Sequence, residues 1–198
     1  MSLRLCLFVM LAASVAAVAQ DGSPSAPPPA PSSSSDVEVF SISTPDHSVT
    51  AHFMGQKFAS NLEIPFGVHA LEFTFAGDPA TYKFQTDGEI AFTNWNTHVF
   101  SPSGDWAVLL KGQHGPFVVV STKKLKDYLK GSARPEKTLS VGDFPNAPER
   151  THQRDYQFLQ WTSYDGFLFA AICCGQELQY DYQIPQKELK LSQTLPQQ

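Results

Sequence analysis

The stretch that decides the fold runs from Phe167 to Pro185, FLFAAICCGQELQYDYQIP. From Glu177 to Ile184 apolar and polar residues alternate, which is typical of a strand with one buried and one wet side, and Pro185 ends the hydrogen-bonded ladder. The almost continuously apolar run Phe167 to Cys173 predicts a more deeply buried strand. Gly175-Gln176 predicts a tight turn between the two. We therefore predict an antiparallel hairpin here.

The same kind of pattern recurs over most of the chain upstream of this hairpin. Short runs rich in Val, Phe, Tyr, Ile and Thr, separated by Gly, Pro, Asn and Asp, predict roughly ten strands. Only one helix is predicted, at about 122–130, where Leu125, Tyr128 and Leu129 share a face and Gly131 can end the helix. The pattern predicts an all-β fold, an antiparallel sandwich or a meander that can curl into a barrel.

Three segments that place an Asp-Gly or Ser-Gly pair before an apolar run suggest an alternative architecture. They are Gln85–Ile90, Ser101–Trp106 and Ser163–Leu168. Such turns are found in β-propeller blades, which predicts a partial propeller-like array of hairpins, although the domain has room for only about three blades. Tight hairpins of any kind use these residues, so the sandwich or meander is favoured.

The N-terminal region predicts export from the cell. Residues 1–19 carry one charge, Arg4, then an apolar stretch and the small-residue end Ala17-Val18-Ala19, which is typical of a cleaved signal peptide. The stretch is too short to span a membrane, so no transmembrane span is expected in the mature chain. Residues 20–36 predict a Pro/Ser-rich disordered linker, 37–191 a single β domain, and 192–198 a disordered tail. The expected location is secreted, either periplasmic or extracellular.

Charge and motif content disfavour several classes of function. Loss of Arg4 with the signal peptide changes the formal net charge from -5 to -6, and an acidic protein is not expected to bind nucleic acid. The six histidines show no metal-ligand spacing, so no metal site and no cofactor are predicted. The sequence has no G-x-S-x-G, H-E-x-x-H, C-x-x-C or phosphate-loop motif. A non-enzymatic role is favoured, while catalytic residues assembled from distant positions stay possible.

Cys173 and Cys174 are the only cysteines that remain after removal of residues 1–19, and three fates compete for them. On a regular strand their side chains point to opposite faces, one buried and one exposed. A disulfide between them joins Cα atoms only about 3.8 Å apart, and the bond would be strained and easily reduced. The third option is an intermolecular bridge or a soft metal ion. The pair is a redox or disulfide candidate.

Two surfaces are candidates for ligand binding. The first is basic and contains Lys123, Lys124 and Lys126, which could meet an anionic lipid, an envelope polymer or an acidic protein, or could simply form a solvated helix face. The second contains Trp95 between Asn94 and Asn96, since an exposed aromatic ring beside amides suits a sugar ring. Core packing is the competing explanation for the tryptophans and tyrosines.

Three functions are consistent with these patterns. The first is an exported, non-enzymatic binding module for a saccharide, an envelope polymer or a protein. The second is a hydrolase-like enzyme, which predicts a polar cleft with two convergent carboxylates or a Ser/His pair. The third is a structural envelope protein, which predicts an unpaired edge strand or a large apolar patch.

Overall fold

The computed structural model describes residues 36–57, 66–86, 98–112, 115–140, 144–145, 155–163 and 165–196, within one compact unit that begins at Ser34. Eleven strands and one helix lie in this part of the chain. In chain order they are β1 (Val37–Ser43), β2 (Val49–Lys57), β3 (Phe66–Phe75), β4 (Asp78–Phe84), β5 (Trp106–Leu110), β6 (Phe117–Ser121), α1 (Thr122–Leu129), β7 (Lys137–Leu139), β8 (Asp155–Ser163), β9 (Gly166–Cys173), β10 (Gln176–Gln183) and β11 (Glu188–Pro196).

The strands form three antiparallel sheets, each a meander in which neighbours in the chain pair with one another. The N-terminal sheet has the order β1-β2-β3-β4, the central sheet β5-β6-β7, and the C-terminal sheet β11-β10-β9-β8. The prediction of an all-β antiparallel sandwich or meander with one short helix is confirmed. The described strands do not close into a barrel.

The central sheet is buried on both of its faces. Ala107 and Leu109 belong to a core shared with the N-terminal sheet, whereas Val108 and Leu110 belong to a core shared with the C-terminal sheet. Because side chains alternate between the faces of a strand, a doubly buried sheet needs continuous apolar runs. Residues 107–110 and 117–120 provide these runs, and all eight residues are buried. The result is a stack of three sheets around two hydrophobic cores.

Helix α1 follows β6 directly and covers one side of the first core. Leu125 is fully buried there, and Tyr128 and Leu129 pack against the same core. The helix is too short to be stable alone, so this apolar face holds it in place. Gly131, with a φ of 76°, follows the last turn as predicted. Ser121 occupies the N-cap position without a side-chain capping bond.

The C-terminal boundary of the domain was predicted wrongly. Residues 192–196, expected as part of a disordered tail, belong to β11, which pairs with β10 from Glu188 to Pro196. Residues 193–196 pair with residues 176–179 of β10, so backbone hydrogen bonding along the edge of β10 orders the segment. The hairpin turn between β9 and β10 is also one residue earlier than predicted, at Cys174-Gly175.

Several predicted features fall outside the described residues. These are the signal peptide at 1–19, nearly all of the linker at 20–36, and the run 89–93, one of the short apolar runs that predict strands. At another such run, 97–100, the structure has an isolated bridge between Phe100 and Ala107. In the part of the chain that is described, no helix is long and apolar enough to cross a membrane.

Candidate functional site

Two turns of the same design meet at one end of the N-terminal and central sheets. The first turn, Thr44–Ser48 (TPDHS), connects β1 to β2, and the second turn, Ser101–Asp105 (SPSGD), leads into β5. Each begins with a hydroxyl-bearing residue followed by proline. Thr44 and Ser101 are the buried polar side chains of the described region, at 1% and 2% exposure. Burial of a hydroxyl implies that its hydrogen bonds are satisfied.

The opening residue of each turn makes equivalent hydrogen bonds. The N–H groups of Thr44 and Ser101 donate to the carbonyl oxygens of Val49 and Trp106, both at 2.9 Å. Their hydroxyl oxygens accept the N–H groups of the same two residues, both at 3.1 Å. The hydroxyl therefore replaces a backbone acceptor at the point where each strand begins.

The third residue of each turn also has an equivalent role. Asp46 Oδ1 accepts the N–H of Ser48, and Ser103 Oγ accepts the N–H of Asp105, both at 3.1 Å. The fourth residues, His47 and Gly104, have positive φ angles of 57° and 81°. The turns thus share one backbone and differ mainly in the third side chain.

The two turns and helix α1 are fastened to one another. A Cβ atom on Gly104 would lie 2.8 Å from Pro45 Cδ, so only glycine allows this approach. Thr122, the first residue of α1, donates its N–H to Asp105 O (2.9 Å) and its hydroxyl to Gly104 O (2.7 Å). The β3–β4 turn joins through the N–H of Ala76, which donates to Ser48 O. Four chain segments are therefore held rigidly at this end.

These segments line a half-open cleft of mixed polar and apolar character, the end cleft, with a volume of about 390 Å³. Its lining combines two carboxylates, three hydroxyls, one ammonium group and a few apolar surfaces. The lining residues are Pro45, Asp46, Ser48, Val49, Phe75, Ala76, Ser103, Gly104, Asp105, Thr122 and Lys123. The volume falls within the range of small-molecule sites, about 300 to 1,000 Å³.

Asp46 is the charged residue of the end cleft whose side chain accepts the most hydrogen bonds. Its Oδ1 accepts three hydrogen bonds, from Thr44 Oγ1 (2.7 Å), Ser48 Oγ (2.8 Å) and the Ser48 N–H (3.1 Å). These donors favour the carboxylate and lower the pKa of Asp46 to about 2, with the Thr44 hydroxyl as the largest cause. Asp46 is an exposed residue, its own N–H is a minor further cause of the low pKa, and no other described residue donates a hydrogen bond to Oδ2. Asp46 is therefore a fixed anion with one oxygen left for a ligand.

Two further charged side chains at the cleft have no hydrogen-bond or ion-pair partner within the described chain. They are the exposed Asp105 carboxylate and the exposed Lys123 ammonium group. With Asp46 they give two negative charges and one positive charge. Of the three predicted ligand-binding lysines, Lys123 lines the end cleft.

The other two predicted lysines are engaged within the protein. Lys124 Nζ lies 3.3 Å from Glu136 Oε1, while the other oxygen of Glu136 accepts the N–H of Ser121 at 2.9 Å. Lys126 forms an ion pair with Asp78. The basic surface is therefore less available to an anion than the sequence indicated.

The Lys126–Asp78 pair also fastens α1 to the N-terminal sheet. Tyr82 donates its hydroxyl to Asp78 Oδ2 at 2.7 Å, and Lys126 Nζ lies 5.8 Å and 5.5 Å from the ring centroids of Phe75 and Tyr82. The hydrogen bond from Lys126 is the largest cause that lowers the pKa of Asp78, and the same bond raises the pKa of Lys126. Lys126 therefore has a structural role, which is to hold α1 against the N-terminal sheet.

The predicted aromatic site lies outside the described residues, since Asn94, Trp95 and Asn96 all fall in the segment 87–97. The other two tryptophans, Trp106 and Trp161, pack against the core between the central and C-terminal sheets. Trp161 also donates its Nε1–H to His98 O at 2.9 Å. Core packing therefore accounts for most of their aromatic surface.

A carboxylate, an imidazole and a hydroxyl lie in line across the N-terminal sheet. His52 Nδ1 is 2.7 Å from Glu38 Oε2, and His52 Nε2 is 2.8 Å from Thr74 Oγ1. The bond to His52 is the largest cause that lowers the pKa of Glu38. The order matches that of a hydrolase triad. However, His52 and Thr74 lie on the inner strands β2 and β3, whose N–H groups are used in sheet pairing and cannot stabilise an oxyanion.

The two cysteines are joined to each other by a disulfide bond at the tip of the β9–β10 hairpin. Among the described residues, no three His, Cys, Asp or Glu side chains are grouped so that they could hold a metal ion.

The sequence reasoning missed the end cleft because its two carboxylates lie far apart in the chain. The available signal was the pattern hydroxyl-Pro-x-x-x before an apolar strand, which occurs at Thr44 and at Ser101. Only the second occurrence was recognised as a turn. The chain matches no protein-family model and is similar to no curated protein.

Proposed function

We propose that this protein is an exported, non-enzymatic module that binds a saccharide in the end cleft. The observation that carries the proposal is the state of Asp46, whose Oδ1 is fixed by three donors while Oδ2 receives no hydrogen bond from any other residue of the described ranges. Sugars present neighbouring hydroxyl groups that donate hydrogen bonds, and a fixed carboxylate is a strong acceptor for them.

The rest of the cleft has the composition that a sugar needs. Asp105 offers a second carboxylate, and Ser48 and Ser103 bring hydroxyl oxygens to the lining. Pro45 and Phe75 add apolar surface against which the CH groups of a pyranose can pack. Because the turns are already fastened together, binding costs little further ordering of the protein.

The charges of the cleft favour a neutral saccharide over an anionic polymer. An acidic ligand would approach two carboxylates, Asp46 and Asp105, and only one ammonium group, Lys123, would compensate. Lys124 and Lys126, which could have attracted an anion, are held by Glu136 and Asp78. A neutral sugar avoids this repulsion and can donate hydrogen bonds to the two carboxylates.

The N-terminal sequence supports the proposed location of the module. The pattern of residues 1–19 supports export through a signal peptide, and the composition of residues 20–36 supports a flexible tether. An exported domain on a tether can reach glycans of the envelope or of the surroundings. Both features remain part of the proposal.

The test is binding of a panel of neutral oligosaccharides to the mature chain, measured by ligand-observed NMR and calorimetry. Asp46→Asn keeps an oxygen for Thr44 and Ser48 but replaces the second oxygen with a donor, so affinity should fall at least about tenfold. Asp127→Asn, which changes an exposed carboxylate on α1, is the matched control and should bind like the wild type. Equal binding by wild type and Asp46→Asn, or no binding by either, refutes the proposal.

A hydrolase remains the second candidate because two carboxylates, Asp46 and Asp105, line the same cleft. Glycoside hydrolysis needs one carboxylic acid whose pKa is raised so that it can donate a proton. Hydrogen bonds move the pKa of Asp46 in the opposite direction. We therefore expect no reducing sugar to be released from any ligand that binds. If the wild type released reducing sugar and Asp46→Asn did not, the protein would be an enzyme and not a binding module.

A further inference from the structure

The disulfide between Cys173 and Cys174 lies at the tip of a hairpin. Cys173 is the last residue of β9, and Cys174 and Gly175 form the two-residue turn into β10. Cys174 and Gly175 have φ angles of 60° and 75°, the successive positive values of a type I′ turn. Cys174 thus leaves the strand before the alternation of side chains would place it on the opposite face.

The two cysteine residues differ in accessibility. Cys174 is an exposed residue, whereas Cys173 is half-buried at the end of β9. A thiolate attacks a disulfide at one sulfur and expels the other, so the more accessible sulfur is attacked more readily. The exposed side of this bond is the Cys174 side.

The disulfide contributes little to holding the fold together. It links adjacent residues, and a cross-link stabilises a protein mainly by closing a long loop of the unfolded chain. The hairpin is instead held by eight residue pairs between β9 and β10, from Cys173 opposite Gln176 to Gly166 opposite Gln183. Opening the bond therefore leaves the sheet intact.

We propose that Cys173–Cys174 is a reversible exchange site for low-molecular-weight thiols. The thiolate of the small thiol attacks Cys174 Sγ and forms a mixed disulfide with it. The bond between the two cysteines breaks, and its electron pair leaves on Cys173 as a thiolate. Because the Cys173 thiolate stays beside the mixed disulfide, it can attack Cys174 Sγ, expel the small thiol and restore the original bond. The cycle consumes no oxidant or reductant.

The experiment uses the mature chain and glutathione. Cys173 and Cys174 are the only cysteines in this chain, since Cys6 lies in the removed segment, so every adduct maps to one of them. The protein is incubated with excess glutathione, free thiols are alkylated at acidic quench, and peptides are analysed by mass spectrometry. We expect glutathione on Cys174 and the alkyl group on Cys173, and we expect dilution without quench to reverse the adduct.

A double variant, Cys173→Ser with Cys174→Ser, is the control. It should take up no glutathione and should unfold within about 2 °C of the wild type, because the bond closes no loop. The proposal is overturned by glutathione on Cys173 instead of Cys174 or by the absence of any adduct while a reference exposed disulfide exchanges. A large loss of thermal stability in the double variant would also overturn it. Saccharide binding plays no part in these readouts, so the outcome is independent of the function proposed for the end cleft.

Discussion

The first and second turns of the end cleft have the same backbone and the same hydrogen-bond pattern, yet their third residues differ in whether an acceptor is left for a ligand. In the second turn, Ser103 Oγ accepts the Asp105 N–H and shares a hydrogen bond with the Ser101 hydroxyl. In the first turn, Asp46 satisfies the turn with Oδ1 and keeps Oδ2. At the third position, the choice of Asp46 instead of a serine therefore adds a carboxylate oxygen that the turn itself does not use.

The comparison also shows how the two turns depend on each other. The first turn contributes Pro45, and the second contributes Gly104, the residue that the proline ring requires to be small. Each turn is stable locally through its own hydroxyl, but the cleft exists only where the two are in contact. Predictions about the cleft therefore separate into those that break this contact and those that change one turn alone.

Breaking the contact should have the largest effect. Gly104→Ala adds a Cβ atom 2.8 Å from the Pro45 ring at a φ of 81°, so overpacking and backbone strain add, and we expect a loss of about 2 to 4 kcal/mol in the free energy of unfolding. Urea unfolding measures this loss.

Gly77→Ala separates the backbone strain from the overpacking in that loss. Gly77 has a similar φ of 77°, but a Cβ atom there would meet nothing within 4 Å. The backbone contribution alone should cost about 1 to 2 kcal/mol. If Gly104→Ala is no more harmful than Gly77→Ala, the contact with Pro45 is not a constraint on the cleft.

The contact between the turns is also the part that sequence alone could not supply. Alternation and apolar runs predicted the strands and the helix at 122–130, because these signals are local. Thr44-Pro45 and Ser101-Pro102 are far apart in the chain, and nothing local indicates that their turns meet. Lys126 is a similar case, since its partner Asp78 lies on a different element. Strand β11 was not predicted, although Leu189 and Leu191 alternate with polar residues.

Removing the buried hydroxyl of one turn should cost less than breaking the contact. Thr44→Val keeps the shape of the side chain but leaves the Val49 N–H without its acceptor and Asp46 without its shortest donor, at a cost of about 1 to 3 kcal/mol. Ser101→Ala should cost about 1 to 2 kcal/mol, since its hydroxyl serves no carboxylate. Thermal unfolding compares the two variants.

The variants Thr44→Val and Ser101→Ala also separate a loss of stability from a change in the pKa of Asp46. Only Thr44→Val should raise the pKa of Asp46, because the Thr44 hydroxyl is the largest cause of its low value. Carboxyl-carbon NMR titration reports this directly. The exposed Thr81→Val is the control and should change stability by less than about 0.5 kcal/mol. An equal pKa of Asp46 in the Thr44→Val and Ser101→Ala variants would contradict the assignment.

The pH dependence of the free energy of unfolding should also distinguish the first turn from the second. The pKa of Asp46 falls from an ordinary 3.8 to about 2 on folding, so its hydrogen bonds stabilise the folded state fully above about pH 4. This contribution is lost as the pH falls from about 4 to 2. Asp46→Asn should lack that part of the slope in urea unfolding, whereas Ser103→Ala should keep it. An unchanged slope in Asp46→Asn would show that other carboxylates account for acid sensitivity.

A substitution at the fourth residue of the first turn should have the smallest effect on stability. It tests whether the two turns have the same backbone conformation. His47 has a φ of 57° where the second turn has glycine, so His47→Gly removes the strain of a side chain in the left-handed region. Glycine also increases the entropy of the unfolded chain, which opposes the gain. The two terms are of similar size, and the free energy of unfolding should change by no more than about 0.5 kcal/mol. A loss above 1 kcal/mol would mean that the exposed His47 side chain makes a contribution that the second turn does not need, and that the two turns are alike only in their hydrogen bonds.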